Sequence, residues 1–340
     1  MRDATSQTRT RAMLVTALGS EIVAALDDPA VVEIMVNPDG RLWVERHGSG
    51  RTESGSMSSA DSERVIRLVA SHAGRRADVG SPIVSAELPM GGERFEGVLP
   101  PVSPGPCFSI RKPAGRVIAL DTYVASGVMA AHHAEALRRA VLDRENILVV
   151  GGTGSGKTTL ANALLAEIAR TGDRLVILED TRELVSAARD AVQLRTQPGA
   201  VTLADLVRST LRLRPDRIII GEVRGAEALD MLKAWNTGHP GGIATLHANS
   251  ALSGLSRLEQ LIGEASAQVP HDLIAETIDC VVYITRRAGL HRVETVARMN
   301  GLGREGYDLV PVQPDLQLVL PSLPFSEPLL STAPERTHPK

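Results

Sequence analysis

Aromatic residues make up only 2% of this 340-residue chain: two Trp, three Tyr and three Phe. A surface that stacks successive nucleobases needs more rings than that. The net charge is −3, so no global positive field draws the chain onto a polyphosphate backbone, and direct sequence-specific binding of nucleic acid is not expected. Cysteine is equally scarce. Cys107 and Cys280 lie far apart with no C-x-x-C partner. That excludes a zinc site built on cysteines and fits a reduced, cytoplasmic setting in which both are small buried apolar residues. No stretch reaches the ~18 consecutive apolar residues of a membrane span. Residues 1–10 are polar, hold two Arg and lack the apolar core of a signal peptide.

What remains is the composition of a globular protein, 43% hydrophobic and 23% charged, with room for two domains of ordinary size. Residues 1–20 read as an N-terminal extension, 21–113 as a small α+β domain, 114–125 as a connector, 126–300 as an α/β domain and 301–340 as a tail. Residues 12–26 carry a helical stripe of Leu14, Leu18, Ile22 and Leu26. Such a stripe packs on its own domain or, alternatively, makes a peripheral contact with a membrane or partner. Val32, Ile34 and Val36, then Leu42 and Val44, alternate around Asn37-Pro38-Asp39-Gly40 and predict a hairpin. A helix is predicted over 59–71, with short strands around 83–86, 94–98 and 107–110. After a helical segment at 130–142, strands and helices alternate as in a parallel sheet. The strands are 147–150, 175–178, 192–194, 217–221, 243–246 and 281–284. The helices are 160–170, 202–213 with Thr202 and Asp205 as a capping pair, and 226–236 closed by Gly238. From Gly301 to Lys340, seven prolines fall in forty residues and predict a poorly ordered tail.

The densest signal is Gly151-Gly152-Thr153-Gly154-Ser155-Gly156-Lys157-Thr158-Thr159. It is a G-x-x-x-x-G-K-[ST] loop set between an apolar strand and an Ala/Leu-rich helix. The glycines let backbone N–H groups turn inward on phosphate oxygens, and the helix N-terminus adds partial positive charge. Lys157 is placed to reach β- and γ-phosphates, and the Thr158 hydroxyl to ligate Mg²⁺. ATP with Mg²⁺ is the expected ligand pair.

Three further signals end apolar strands, where an open α/β sheet places its ligand. They are Glu179-Asp180-Thr181-Arg182-Glu183, then Ile218-Ile219-Ile220-Gly221-Glu222, then Thr245-Leu246-His247. The second is a Walker B pattern, with Gly221 where many phosphate-loop ATPases carry a metal-binding Asp. Acids at strand ends also cap helices, and a single His is more often a surface or core residue. A phosphate loop followed by all three in order is far less expected by chance.

These four boxes resemble the secretion "traffic" ATPases, the superfamily that powers type IV secretion, type II secretion and type IV pili. Met35-Val36-Asn37-Pro38-Asp39-Gly40 and Ala234-Trp235-Asn236-Thr237-Gly238-His239 point to its conjugal-transfer branch. The resemblance implies a RecA-like ATPase domain beside the smaller α+β domain, with nucleotide between them. It also implies a homo-hexameric ring docked on inner-membrane secretion or conjugation machinery, with peripheral membrane association as an option. By the same resemblance Glu222 orients the attacking water, Glu179 and Glu183 touch metal-bound water or act as base, and His247 senses the γ-phosphate. Arg94 and Arg111 close over the nucleotide from the N-terminal domain, and Thr158 is the direct Mg²⁺ ligand. Two alternatives stand beside this reading. One is a type IV pilus or type II secretion ATPase, the latter usually carrying a four-cysteine module absent here. The other is a nucleotide-switched docking scaffold.

Overall fold

The computed structural model describes residues 4–46, 48–113, 117–197 and 199–314. The chain first forms α1 (Ala4–Asp27), β1 (Val31–Val36), β2 (Arg41–Arg46), β3 (Gly50–Ser56), α2 (Ser59–His72), β4 (Ile83–Glu87), β5 (Arg94–Val98) and β6 (Cys107–Arg111). Its strands pair antiparallel in the order β3-β2-β1-β6-β5-β4. The predicted hairpin is β1–β2, closed where Asp39 accepts the Arg41 amide. β3 escaped the pattern because its sequence, Gly-Arg-Thr-Glu-Ser-Gly-Ser, has no apolar alternation.

The strand period of two sorts this sheet into unlike faces. Ile34, Val36, Leu42, Val44, Phe95 and Ile110 are buried with Leu14, Leu18 and Ile22 of α1 and Val65, Ile66 and Val69 of α2. The α1 stripe is therefore consumed by its own domain, which corrects the membrane alternative. The packing also begins at Leu14 rather than at residue 21. The intervening strand residues face away from the helices. Across them runs one register row: Glu45 opposite Glu33, Glu33 opposite Arg111, Arg111 opposite Arg94, and Arg94 opposite Glu87.

The rest of the described chain forms α3 (Leu120–Ala125), α4 (Ala131–Leu142), β7 (Ile147–Gly151), α5 (Lys157–Ile168), β8 (Leu175–Glu179), β9 (Ala191–Arg195), α6 (Leu203–Thr210), β10 (Arg217–Ile220), α7 (Glu227–Asn236), β11 (Ile243–His247), α8 (Ala251–Gly263), α9 (His271–Thr277), β12 (Cys280–Arg287), β13 (Leu290–Gly303) and β14 (Gly306–Pro311). The sheet order is β14-β13-β12-β7-β11-β10-β8-β9. β12 through β9 are parallel, and β13 and β14 extend the edge antiparallel. Ile147 and Val149 face a core with Leu137, Leu160 and Leu164. Leu148 and Val150 face another with Leu206, Met231, Leu255 and Ile274. Burial on both faces is why these strands read as unbroken apolar runs.

Four expectations change. The segment expected as a connector holds α3, because Leu120 and Tyr123 are buried in the α/β core; residues 114–116 lie outside the described residues. The tail does not begin at Gly301. β13 continues to Gly303, β14 pairs with it, and Tyr307 and Leu309 pack against the core, the Tyr307 hydroxyl donating to Glu259 at 2.7 Å. The remainder of the expected tail, 315–340, lies outside the described residues. Cys280 is buried, and that burial pushes its thiol up to about 12, but Cys107 is only half-buried. α8, between β11 and β12, was not anticipated. The Thr202–Asp205 capping box is present as expected. Among the described residues no helix is long and apolar enough to cross a membrane.

Ending the chain at Gly303 strips β14 and the packing of Tyr307, Leu309 and Val312. That loss is expected to cost about 2–4 kcal/mol, lowering the melting temperature by about 5–10 °C in scanning calorimetry. An unchanged melt would show that β14 adds nothing to the sheet.

Candidate active site

β7 ends at Gly151, and the chain turns through the loop into α5. Gly154 and Gly156 hold φ values of +68° and +98°, where a side chain would be strained. α5 has no side-chain N-cap, so its first amides remain able to meet an anion. Lys157 is 7% exposed. Its Nζ donates to Gly152 O at 2.9 Å and lies 3.4 Å from His247 Nδ1. Burial pulls its ammonium down to about 8, against the opposing pull of Glu222 and Glu183, with the Arg111 and Arg224 charges adding to the depression.

The neighbouring parallel strands deliver the other groups. β11 pairs His247 with Gly151; β10 runs into Glu222, and β8 ends on Glu179. Glu222 Oε1 lies 2.5 Å from His247 Nε2, and Arg224 forks onto Oε2, its Nε at 2.7 Å. Burial, reinforced by Lys157, holds the His247 pKa below the ordinary histidine value. A neutral ring can accept from Lys157 at Nδ1, while its Nε2 abuts Glu222 Oε1 without hydrogen-bond alignment, leaving that buried carboxylate oxygen unpartnered.

Glu179 sits differently from the other acids. It is 2% exposed, and its Oε1 accepts the Glu183 and Leu184 amides, both at 2.8 Å. Burial raises its pKa. It thus grips the turn that carries Glu183 instead of facing open space. Glu183 in turn accepts from the Thr158 hydroxyl at 3.3 Å and stands 3.7 Å from Arg94 Nη1. The unusual Gly221 has a local cause. A Cβ there would lie 2.9 Å from Glu179 Cγ, so the glycine admits the acid from the adjacent strand. Thr158 and Glu183 are hard oxygen donors side by side, which suits Mg²⁺. Among the described residues no cluster of three or more His, Cys, Asp or Glu could itself hold a metal.

Arg94 and Arg111 are cross-strand partners on the N-terminal sheet. Arg94 reaches Glu183, and Arg111 stands 3.7 Å from Glu33 while its charge is felt at Lys157. Sequence reasoning passed over three neighbours. Arg224 had a usable signal, two residues past Glu222. Arg286 and His291, on the β12–β13 hairpin, had none. The β12–β7 pairing brings them to the loop, His291 Nδ1 lying 2.9 Å from Ser155 O.

Gly221→Ala should force Glu179 out of its berth, cost about 1–3 kcal/mol of stability and loosen the Glu183 turn. Chemical denaturation checks the first, and exchange rates of the Glu183 and Leu184 amides the second. Wild-type stability with protected amides would contradict the packing account.

Residues 17–305 match the family described as Type II/IV secretion system protein. Over 296 residues the chain is 54% identical to the conjugal transfer protein TrbB of Rhizobium radiobacter, covering 86% of this chain and 91% of that one. Over 295 residues it is 38% identical to the type IV secretion system protein PtlH of Bordetella pertussis, covering 76% and 86%. Its fold is similar to the solved structure of the pilus retraction motor PilT with bound ADP, with a TM-score of 0.61 at 19% identity over 87% of this chain and 83% of that one. With its two-sheet architecture, its phosphate loop and this breadth of match, the chain belongs to the type II/IV secretion system protein family.

Proposed function

We propose that this protein is the ATP-hydrolysing motor of a conjugative type IV secretion system, working as a homo-hexamer on the cytoplasmic side of the inner-membrane machinery to drive pilus assembly or substrate transfer. One observation carries the enzymatic part. Lys157, Thr158, Glu183, Glu222 and His247 converge on the mouth of one phosphate loop, and Arg94 reaches Glu183 from the other sheet. The similarity to a conjugal transfer protein supports the system.

In this reading the loop amides and Lys157 hold the β- and γ-phosphates. Thr158 would hold Mg²⁺, with Glu183 reaching it through water, and the bound ion would neutralise phosphate charge. Glu222 accepts a proton from, or orients, the attacking water, and His247 couples that carboxylate to Lys157 and so to the phosphate. Glu179 keeps Glu183 in place. Phosphoryl transfer spreads charge over oxygens, and Arg94 and Arg111 answer it. Because these two arginines belong to the other sheet, filling the site draws the sheets together, and that closure is the mechanical output. A docking scaffold of low turnover would share the binding groups, so hydrolysis decides between the readings.

Lys157→Ala should abolish phosphate release while the melting temperature stays near wild type, since the ammonium meets phosphate and contributes no apolar packing. Glu222→Gln should still bind ATP but turn over at least ~100-fold more slowly. The measurements are steady-state phosphate release, equilibrium binding and thermal melting on each variant. Undiminished turnover in a folded Lys157→Ala protein would remove the phosphate loop as the site of hydrolysis. Lost binding in Glu222→Gln would move Glu222 from catalysis to binding.

A further inference from the structure

β7 has two strand neighbours, and they divide the phosphate loop into two sides. β11 lies on one side and β12 on the other. Beyond β11 come β10 and β8, so His247, Glu222 and the turn that presents Glu183 all approach from that side. These are the groups suited to the scissile end of a triphosphate. The β12 side of the loop therefore faces the opposite end, where the α-phosphate and nucleoside lie. On that side stands a cation with no part in the chemistry above. A Cβ placed on Gly154 would lie 3.8 Å from Arg286 Nη1, and His291 on the same hairpin bonds Ser155 O.

Arg286 also meets a carboxylate of the N-terminal sheet. Its Nη1 lies 3.3 Å from Glu45 Oε1. Glu45 belongs to the charged register row of the N-terminal sheet, one strand from Glu33. The pair is partly exposed, with side-chain exposures of 32% and 21%, which makes it weak. Carboxylate and phosphate present the same kind of oxygen pair to a guanidinium fork, and phosphate carries more charge.

We propose that Arg286 is a further nucleotide-binding residue that takes the α-phosphate beside Gly154, and that Glu45 competes with that phosphate for the same guanidinium. The inference rests on the nucleotide reading of the site. Nucleotide then binds less tightly than the cations of the site alone would permit, because Glu45 competes for Arg286. The Arg286 contact is the same for ADP and ATP, since both carry the α-phosphate. The N-terminal sheet then takes part at both ends of the ligand, with Arg94 and Arg111 toward one and Glu45, through Arg286, at the other.

The test is equilibrium binding of fluorescent ADP and of a non-hydrolysable ATP analogue, each with Mg²⁺, to the full chain. Arg286→Ala should weaken both about tenfold, the size of one lost charge-assisted contact. Glu45→Gln should tighten both by several-fold, a gain of function that general damage does not produce. The Glu45→Gln gain should vanish in the combined variant. Weakened or unchanged binding in Glu45→Gln, a gain that persists without Arg286, or an effect confined to the ATP analogue would each overturn the proposal. Lys157→Ala separates the two levels of the argument. If it binds as wild type does, the phosphate-loop reading has failed. If it loses binding while Glu45→Gln is neutral, only the role of Arg286 has failed. Should Arg286→Ala fold poorly, Arg286→Gln replaces it, and the Glu45→Gln arm stands regardless.

Discussion

Glu45, Glu33, Arg111, Arg94 and Glu87 form a single cross-strand row on the bare face of the N-terminal sheet, and most of the account depends on it. Strand alternation places it there. With Ile34, Val44, Phe95 and Ile110 turned toward the helices, their neighbours must point the other way. Taken alone the row is poorly arranged, since Glu45 sits beside Glu33 and Arg111 beside Arg94, and like charges opposite each other destabilise a sheet. The second sheet resolves this. Glu45 meets Arg286, Arg94 meets Glu183, and Glu87 meets Arg195 and the Arg182 amide. Glu33 and Arg111 pair within the row, and the α/β domain supplies counter-charges for Glu45, Arg94 and Glu87.

Partly exposed ion pairs of this kind contribute about 0–1 kcal/mol each, so the contact between the sheets is easily exchanged. Each of four site arginines leans on a carboxylate: Arg94 on Glu183, Arg111 on Glu33, Arg224 on Glu222 and Asp180, Arg286 on Glu45. On the proposed function, a polyphosphate competes for the same cations with greater charge and better geometry. Its arrival reassigns partners across the interface, and the sheets must move to follow them. Glu222 is flanked by Arg224 and His247 in the same way.

The fold and the loop were legible for different reasons. The parallel strands were readable because burial on both faces leaves no polar residue to interrupt them, as in Ile147 to Val150. The phosphate loop was readable because its φ values demand glycine at Gly154 and Gly156. β3 was not, since an edge strand of polar residues carries no periodic signal. β14 was hidden by the proline count of the segment around it. At the site, Glu179 illustrates the main limit. A strand-end acid in a phosphate-loop protein reads as catalytic, but whether it faces the ligand or two backbone amides depends on the turn at Glu183 and Leu184 and on the missing Cβ of Gly221. Arg286 lies more than a hundred residues from the loop it borders, and only strand pairing reveals the contact.

The central claim is that nucleotide moves the N-terminal sheet through its arginines. It is tested most directly by the distance between the sheets. Nitroxide labels at Val102→Cys and Leu142→Cys, positions 60% and 69% exposed, in a Cys107→Ser background, report that distance by pulsed electron resonance. With Mg²⁺ and a non-hydrolysable ATP analogue the distance distribution should shift and narrow, and the Arg94→Ala/Arg111→Ala protein should keep the nucleotide-free distribution even at saturation. The same shift in the double variant would contradict the account, because the sheets would then be closing without the arginines that are said to draw them together.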